Sequence, residues 1–478
     1  MMTDDDRYRA VQARDARFDG VFFTAVRTTG IFCRPSCPAV TPKRENVTFY
    51  RDPASAQAAG YRACRRCRPD VTPGSPEWNL RGDLAARTMR LIADGVVERE
   101  GVTGLARRLG YSERQVHRTL VDELGVGPLS VARSNRAHLA RTLIESTDLP
   151  LADIAFAAGF GSVRQFNDTM RTAYALAPRD LRRGASRGGG RLEIRLAVRR
   201  PFAAGALTAF LGARAIAGVE RVEERRYARI VSLPHGPAVV DLTLDDDAVQ
   251  ARLELTDLAD TQTAVHRCRR LLDLDADPTT IDDALTSDPV LAPLVDRHPG
   301  LRLPGQVDGF EVAVRAIVGQ QVSVAGARTV LGEMARKHGS AVDLPMAAEL
   351  GLSHAFPSPQ SVVDAPETGF SMPRSRARAL VAVARSFVAG ELVLDTGVDR
   401  ADARRRLLEV PGVGPWTADY IVMRALSDPD ILPITDLVLR RALAAHGLTE
   451  ERTDQWRPWR SYAALHLWQS ITDERMDS

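Results

Sequence analysis

The sequence predicts a multidomain α+β protein: a small α/β unit, an all-α unit, and a larger α+β unit that begins with a small mixed sheet and continues as helices. Three observations predict it. Four of the five cysteines fall in two close pairs near the N-terminus, and a helix–glycine–helix pattern then occurs twice. Past a glycine-rich stretch, short alternating segments give way to helices joined by Pro and Gly turns. At 478 residues the chain is long enough for several cores. The expected units are 1–78, 79–183, a linker at 184–191, 192–275 and 276–478.

The net charge of +3 conceals an asymmetry. Residues 1–190 hold 30 Lys+Arg against 21 Asp+Glu and residues 191–478 hold 34 against 40, so the front is +9 and the back −6. The front therefore supplies long-range attraction to a polyanion, and the back must bind through local geometry. The chain opens Met1-Met-Thr-Asp-Asp-Asp6, acidic where a secretory signal is basic and then apolar, and no apolar run approaches the length of a membrane span. These features predict a soluble cytoplasmic protein with no membrane partner.

In the first unit Cys33-Arg-Pro-Ser-Cys37 and Cys64-Arg-Arg-Cys67 are separated by 26 residues. In a reducing compartment this is metal-ligand spacing, and Cys33, Cys37, Cys64 and Cys67 are the expected ligands of one Zn²⁺. Thr28-Thr-Gly-Ile-Phe-Cys-Arg-Pro-Ser-Cys-Pro38, Glu45-Asn-Val-Thr-Phe49 and Cys64-Arg-Arg-Cys-Arg-Pro69 closely resemble the N-terminal domain of the adaptive-response (Ada) regulator of alkylation damage. The resemblance implies that Cys33 attacks the methyl group of a methylphosphotriester in DNA and keeps it, so that zinc is both structural and nucleophile-activating. Four thiolates around Zn²⁺ carry a formal −2, and methylation brings the centre to −1, which lowers repulsion from the DNA backbone.

In the second unit Leu105, Ala106, Leu109 and Val116 recur at helical spacing around Gly110, and Ser112 with Gln115 reads as a capping box. Ser162 and Gln165, after Gly159, repeat it 50 residues on. Two such repeats, with Ala173-Tyr-Ala-Leu-Ala-Pro178, resemble an AraC-type DNA-binding domain. That architecture implies major-groove contacts from Arg114, Gln115 and Arg118 in the first repeat and Arg164, Gln165 and Asn167 in the second. It also implies promoter DNA and RNA polymerase as partners, and association with the nucleoid. Arg182-Arg-Gly-Ala-Ser-Arg-Gly-Gly-Gly190 then reads as a flexible linker.

In the third unit Tyr227-Ala-Arg-Ile-Val-Ser-Leu233 and Ala238-Val-Val-Asp-Leu-Thr-Leu244 alternate as strands. Farther on, Leu408-Glu-Val-Pro-Gly-Val-Gly-Pro-Trp-Thr-Ala418 makes a tight hairpin before a helix that Pro415 starts well, presenting backbone N–H groups to a phosphate. The hairpin glycines Gly412 and Gly414, together with Asp436, resemble the helix-hairpin-helix glycosylase motif. Gly300-Leu-Arg-Leu-Pro-Gly305, Val318-Gly-Gln-Gln-Val-Ser323, Gln455-Trp-Arg-Pro-Trp-Arg-Ser-Tyr462 and Leu465-His-Leu-Trp468 resemble 3-methyladenine DNA glycosylase II (AlkA).

That resemblance implies that Asp436 is the catalytic carboxylate, that Trp416, Tyr420 and Trp468 line an aromatic pocket for the extruded base, and that Gln320 and Gln321 contact DNA. Alkylation makes a purine cationic, and an aromatic box favours it by about 0.5 to 2 kcal/mol per contact. Related lyases place a Lys where this chain has Trp416, so no strand cleavage is expected. No Pro-Cys-His motif of an O6-methylguanine transferase is present. Gln321 stands where relatives carry an apolar wedge. The expectation is a methylation-sensing transcriptional activator fused to a glycosylase, acting on alkylated and promoter double-stranded DNA. The alternative is a regulator whose last domain is a non-catalytic DNA clamp.

Overall fold

The computed structural model describes residues 3–477 apart from 15–17, 19–21, 38, 51–52, 65–66, 68, 70–75, 175, 183–190 and 396. In the first unit α1 (Asp4–Gln12) starts at Thr3, whose hydroxyl accepts from the Asp6 N–H while the Asp6 carboxylate accepts from Thr3 N–H. Strands β1 (Phe23–Val26), β2 (Ile31–Cys33), β3 (Val47–Tyr50) and β4 (Arg62–Ala63), with α2 (Pro53–Ala58), form a sheet of order β3-β1-β2-β4. The β2–β4 pairing is parallel and matches Phe32 with Ala63, so the residues that follow this pair, Cys33 and Cys64, lie side by side.

The second unit is all helical: α3 (Pro76–Ala93), α4 (Val96–Leu109), α5 (Glu113–Leu124), α6 (Pro128–Ser146), α7 (Leu151–Ala157), α8 (Val163–Tyr174) and α9 (Pro178–Leu181). Helix α3 runs across the expected boundary at 78/79. Gly110 and Gly159 take φ of +76° and +83°, the left-handed turn that ends the first helix of each repeat. Ser112 and Ser162 accept from the N–H groups of Gln115 and Gln165 at 3.3 and 3.2 Å, which starts the second helix. The expected linker at 184–191 lies, except for Arg191, outside the described residues.

The third unit opens with β5 (Leu192–Ala197), α10 (Ala204–Ala213), β6 (Glu220–Glu223), β7 (Arg226–Leu233), β8 (Gly236–Leu244), β9 (Ala248–Leu255) and α11 (Thr261–Leu271). The sheet order is β5-β9-β8-β7-β6, and every described pairing in it is antiparallel, which corrects the expectation of a mixed sheet. The reason is connection length: β6 through β9 are joined by tight hairpins, whereas a parallel neighbour needs a crossover of about a dozen residues. Helices α12 (Pro278–Leu285), α13 (Ala292–Arg297), α14 (Gly309–Val318), α15 (Val324–His338), α16 (Pro345–Glu349), α17 (Pro359–Asp364), α18 (Arg374–Val388), α19 (Arg400–Glu409), α20 (Pro415–Ala425), α21 (Leu437–Ala445) and α22 (Arg460–Asp477) complete it.

The cores do not follow the unit boundaries. Phe160, Phe166 and Met170 of the second repeat belong to one buried cluster with Leu192, Ile194 and Leu253 of the sheet. Ala10, Val11, Phe18 and Phe22 belong to another with Leu285, Trp459 and Leu467, and the Phe18 ring meets Trp459 edge-on at 5.2 Å. Among the described residues the first unit's own cluster is Phe23, Ala25, Phe32 and Ala56, with Tyr50, Tyr61 and Ala63 packed against it.

Candidate metal centre and candidate base-excision site

The four cysteine sulfurs lie within 4.8 Å of one another, and Cys37 and Cys64 are 4.0 Å apart. Sulfurs about 2.3 Å from a common ion in a tetrahedron are separated by nearly that spacing. Their mutual hydrogen bonds drive the thiols apart in acidity, Cys33 and Cys67 upward, Cys37 and Cys64 downward. Four sulfurs at this spacing form a closed tetrahedral donor set, and that set fits zinc. The Arg34 N–H donates to Cys67 Sγ at 3.4 Å, the kind of bond that supports a metal-bound thiolate. Cys37 and Cys67 are buried, while Cys33 and Cys64 remain partly accessible.

The second site is built on the hairpin between α19 and α20. Gly412 has φ of +90°, and a Cβ there would lie 2.6 Å from that of Ala379; a Cβ on Gly414 would meet nothing. Gly414 caps α20, and Pro415 is its first residue. Helix α20 then presents Trp416, Tyr420 and Arg424 at intervals of four, one face of a helix. The Trp416 and Tyr420 rings stack at 5.5 Å and 15°.

Asp436 caps the next helix, α21. Its Oδ1 accepts from the Leu439 N–H at 2.8 Å and from the Trp468 indole at 3.1 Å, and its Oδ2 accepts from the Trp416 indole at 2.9 Å. Three of about four lone-pair positions on the carboxylate are thus filled, and the one left is on Oδ2. The neighbouring acids are engaged elsewhere: Asp419 with Arg404, and Asp430 with Arg457 and Arg460. Trp459 is fully buried in the core cluster against which Tyr420 and Trp468 pack.

Gln320 and Gln321 separate in role. The Gln320 carboxamide nitrogen donates to Gly412 O at 3.2 Å and Thr417 Oγ1 at 3.0 Å, tying the loop after α14 to the hairpin. Gln321 is exposed with φ of +55° and projects from the same loop beside the exposed Val322 and Val324. In the helical unit Arg114, Arg118, Arg164 and Gln165 are exposed and Gln115 and Asn167 half-buried, on the second helix of each repeat. A groove of about 300 Å³ beside α8 is lined by Arg133, Arg164, Gln165 and Asp168. The larger cavity, about 640 Å³ at Thr208, Glu220, Arg221 and Arg328, includes none of the aromatic residues around Asp436, which mark the site by their chemistry and not by volume. Sequence reasoning passed over Arg424, whose signal was its spacing from Trp416 and Tyr420.

Together these features define a fusion of a four-cysteine metal domain, a double helix-turn-helix and a helix-hairpin-helix glycosylase. Residues 6–70 match the metal binding domain of Ada, 105–184 a helix-turn-helix domain and 193–308 the AlkA N-terminal domain. The chain is 49% identical over 477 residues to a "probable bifunctional transcriptional activator/DNA repair enzyme AlkA" of Mycobacterium tuberculosis, covering 97% of this chain and 96% of that protein. It is 34% identical over 268 residues to DNA-3-methyladenine glycosylase 2 of Escherichia coli, covering 54% of this chain and 90% of the relative. The 3-methyladenine DNA-glycosylase from Archaeoglobus fulgidus shares the fold at a TM-score of 0.51 and 18% identity, over 57% of this chain and 96% of its own. The chain belongs to the family of bifunctional transcriptional activator/DNA repair enzymes of the AlkA type.

Proposed function

We propose that this protein takes a methyl group from DNA methylphosphotriesters onto Cys33, activates transcription in the methylated state, and excises alkylated bases such as 3-methyladenine. The observation that carries the excision reading is the Asp436 carboxylate held by two indole N–H groups beside the hairpin. Capping of α21 accounts for the Leu439 bond alone; the two indole N–H groups aim the remaining lone pair into the aromatic cluster, as excision needs.

Cys33 is taken as the acceptor from its place in Phe32-Cys-Arg-Pro-Ser-Cys37, within the stretch that matches the metal binding domain of Ada. Its sulfur attacks the methyl carbon, and the C–O electron pair stays with the phosphate oxygen. Zinc bound by Cys33, Cys37, Cys64 and Cys67 keeps these sulfurs as thiolates at neutral pH. The second helices of the two repeats carry the promoter contacts, with RNA polymerase as partner and the nucleoid as location.

In excision Gly412 and Gly414 bring backbone N–H groups to the DNA backbone, and Gln321 fills the gap left by the extruded base. The base stacks on the Trp416–Tyr420 pair with Trp468 nearby. The glycosidic electron pair leaves with the base, and the positive charge appears on the sugar opposite Asp436 Oδ2, whose free lone pair orients the water that adds to C1′ and accepts the proton that this water gives up. Trp416 occupies the position of a lyase amine, so the strand is left intact. The test is to mix the protein with randomly methylated duplex DNA and measure released bases and protein-bound methyl groups together. Release of 3-methyladenine with methylation of Cys33 is expected. Methyl capture without base release restores the clamp.

A further inference from the structure

Arg424 is 4% exposed, and no carboxylate pairs with it among the described residues. Its Nε donates to the carbonyl of Pro304, one terminal nitrogen to the Tyr420 hydroxyl at 2.7 Å and the other to the carbonyl of Gly305 at 3.4 Å. Its guanidinium carbon lies 4.9 Å from the Phe210 ring centre and 5.5 Å from that of Tyr420. Those carbonyls are fixed in turn. Gly305 N–H donates to Leu271 O at 2.9 Å, and a Cβ on Gly305 would fall 2.1 Å from Arg270 O. Burying a cation on neutral partners is costly, so the site is arranged to keep one there.

We propose that Arg424 is a positioning residue for excision, fixing Tyr420 against Trp416 and placing a permanent positive charge on the base side of the site, opposite the negative charge of Asp436 on the sugar side. This rests on the reading of Trp416, Tyr420 and Asp436 as the excision site. The connection is continuous: the Pro304–Gly305 carbonyls hold Arg424, Arg424 holds the Tyr420 hydroxyl, Tyr420 stacks on Trp416, and the Trp416 indole holds Asp436. When the glycosidic bond breaks, its electron pair moves onto the base and positive charge moves to the sugar. A cation behind the base and an anion beside the sugar both favour that movement. The same cation opposes binding of an already cationic base, which gives the proposal a signature that packing alone lacks. Burial pushes the Tyr420 hydroxyl up, but Arg424, Arg214 and Arg315 together bring it below the ordinary tyrosine value, as a neighbouring cation requires.

The test compares Arg424→Met, Arg424→Lys and Tyr420→Phe in the full chain. Single-turnover excision of 7-methylguanine, a cationic base, and of hypoxanthine, a neutral one, gives the rates. Binding of both duplexes is measured with each variant combined with Asp436→Asn. Arg424→Met should slow excision of both bases on the order of tenfold while its affinity for the cationic lesion rises relative to the neutral one. Arg424→Lys keeps the charge and should retain both the rate, within about threefold, and the binding ratio. Tyr420→Phe keeps the cation and should slow excision without moving that ratio. Unchanged rates in Arg424→Met, or a parallel loss of affinity for both lesions, overturn the proposal. If Arg424→Met does not fold, Arg424→Lys decides: a tenfold loss with weakened binding of both lesions overturns it, and retention supports it. Inactivity of the unsubstituted protein on both lesions would sink the excision reading itself, a separate outcome.

Discussion

At the scale of single residues, each chemistry rests on one atom whose neighbours hold it in place. Asp436 is fixed by two indoles and a helix N–H, so Asp436→Asn keeps the shape and removes the charge that, in the proposed excision, faces the developing sugar cation. Single-turnover release of 3-methyladenine should fall by about 10²- to 10³-fold while lesion binding persists, and release at the unsubstituted rate would move the active site elsewhere. Cys33→Ser should abolish methyl uptake from phosphotriesters, read by peptide mass; a methyl found on Cys64, the other accessible ligand, would transfer the role. The expected residues were legible because spacing and motif name them. Their mutual bonds were not: that Trp416 and Trp468 donate to Asp436 depends on α20, α21 and α22 converging, and no local pattern states how three helices cross. Gln320 illustrates the same limit: its motif suggests DNA, and no local pattern shows that its carboxamide nitrogen also ties the loop to the hairpin.

At the scale of elements, the small sheet and the catalytic helices are joined by a buried ionic cluster that hydrophobic periodicity does not reveal. Arg229 of β7 pairs with Glu311 of α14 at 2.6 Å, and Arg315 of α14 pairs with Glu220 of β6 at 2.6 Å. The Tyr227 hydroxyl donates to the same Glu220 at 2.5 Å. This clamp fixes α14, and with it the loop that carries Gln320 and Gln321. Although burial pushes the Glu311 carboxyl up, the guanidinium groups of Arg229 and Arg315 bring it down to about 2. A carboxyl depressed on folding contributes stability above its ordinary value, and that contribution is lost as pH falls through the folded value. Stability should therefore decline from about pH 4.5 toward about 2, and Glu311→Gln should flatten that portion of the profile. The same substitution removes the shorter of the two carboxylate pairings of Arg229, leaving Glu220 at 3.4 Å, and takes from Arg315 its pairing with Glu311, and it should cost about 3 kcal/mol at neutral pH, measured by denaturant unfolding. Equal stability of the two proteins at pH 7 would show that the cluster contributes nothing net.

At the scale of the whole molecule, composition suggested separate units on a flexible tether, and the packing instead shares cores across them. Phe18 precedes the zinc-site strands yet sits edge-on to Trp459, at the start of the helix that carries Trp468. Phe18→Ala should destabilise the glycosylase part, not only the metal domain, by about 3 to 5 kcal/mol, seen as earlier thermal unfolding of the region around Trp459 in hydrogen exchange. The charge distribution makes a second demand on the whole chain. With +9 on residues 1–190 and −6 on the remainder, the proposed function places the long-range attraction to promoter DNA in the front, where four zinc-bound thiolates would carry a formal −2. In that reading methylation of Cys33 removes one of those charges, and an electrostatic effect on binding weakens with salt. The methylated full-length protein is therefore expected to bind its promoter more tightly than the unmethylated form at low ionic strength, with the two titrations converging as salt rises. Parallel curves of log affinity against log salt, separated by a constant amount, would assign the switch to a conformational change in the metal domain; coincident curves would remove it altogether.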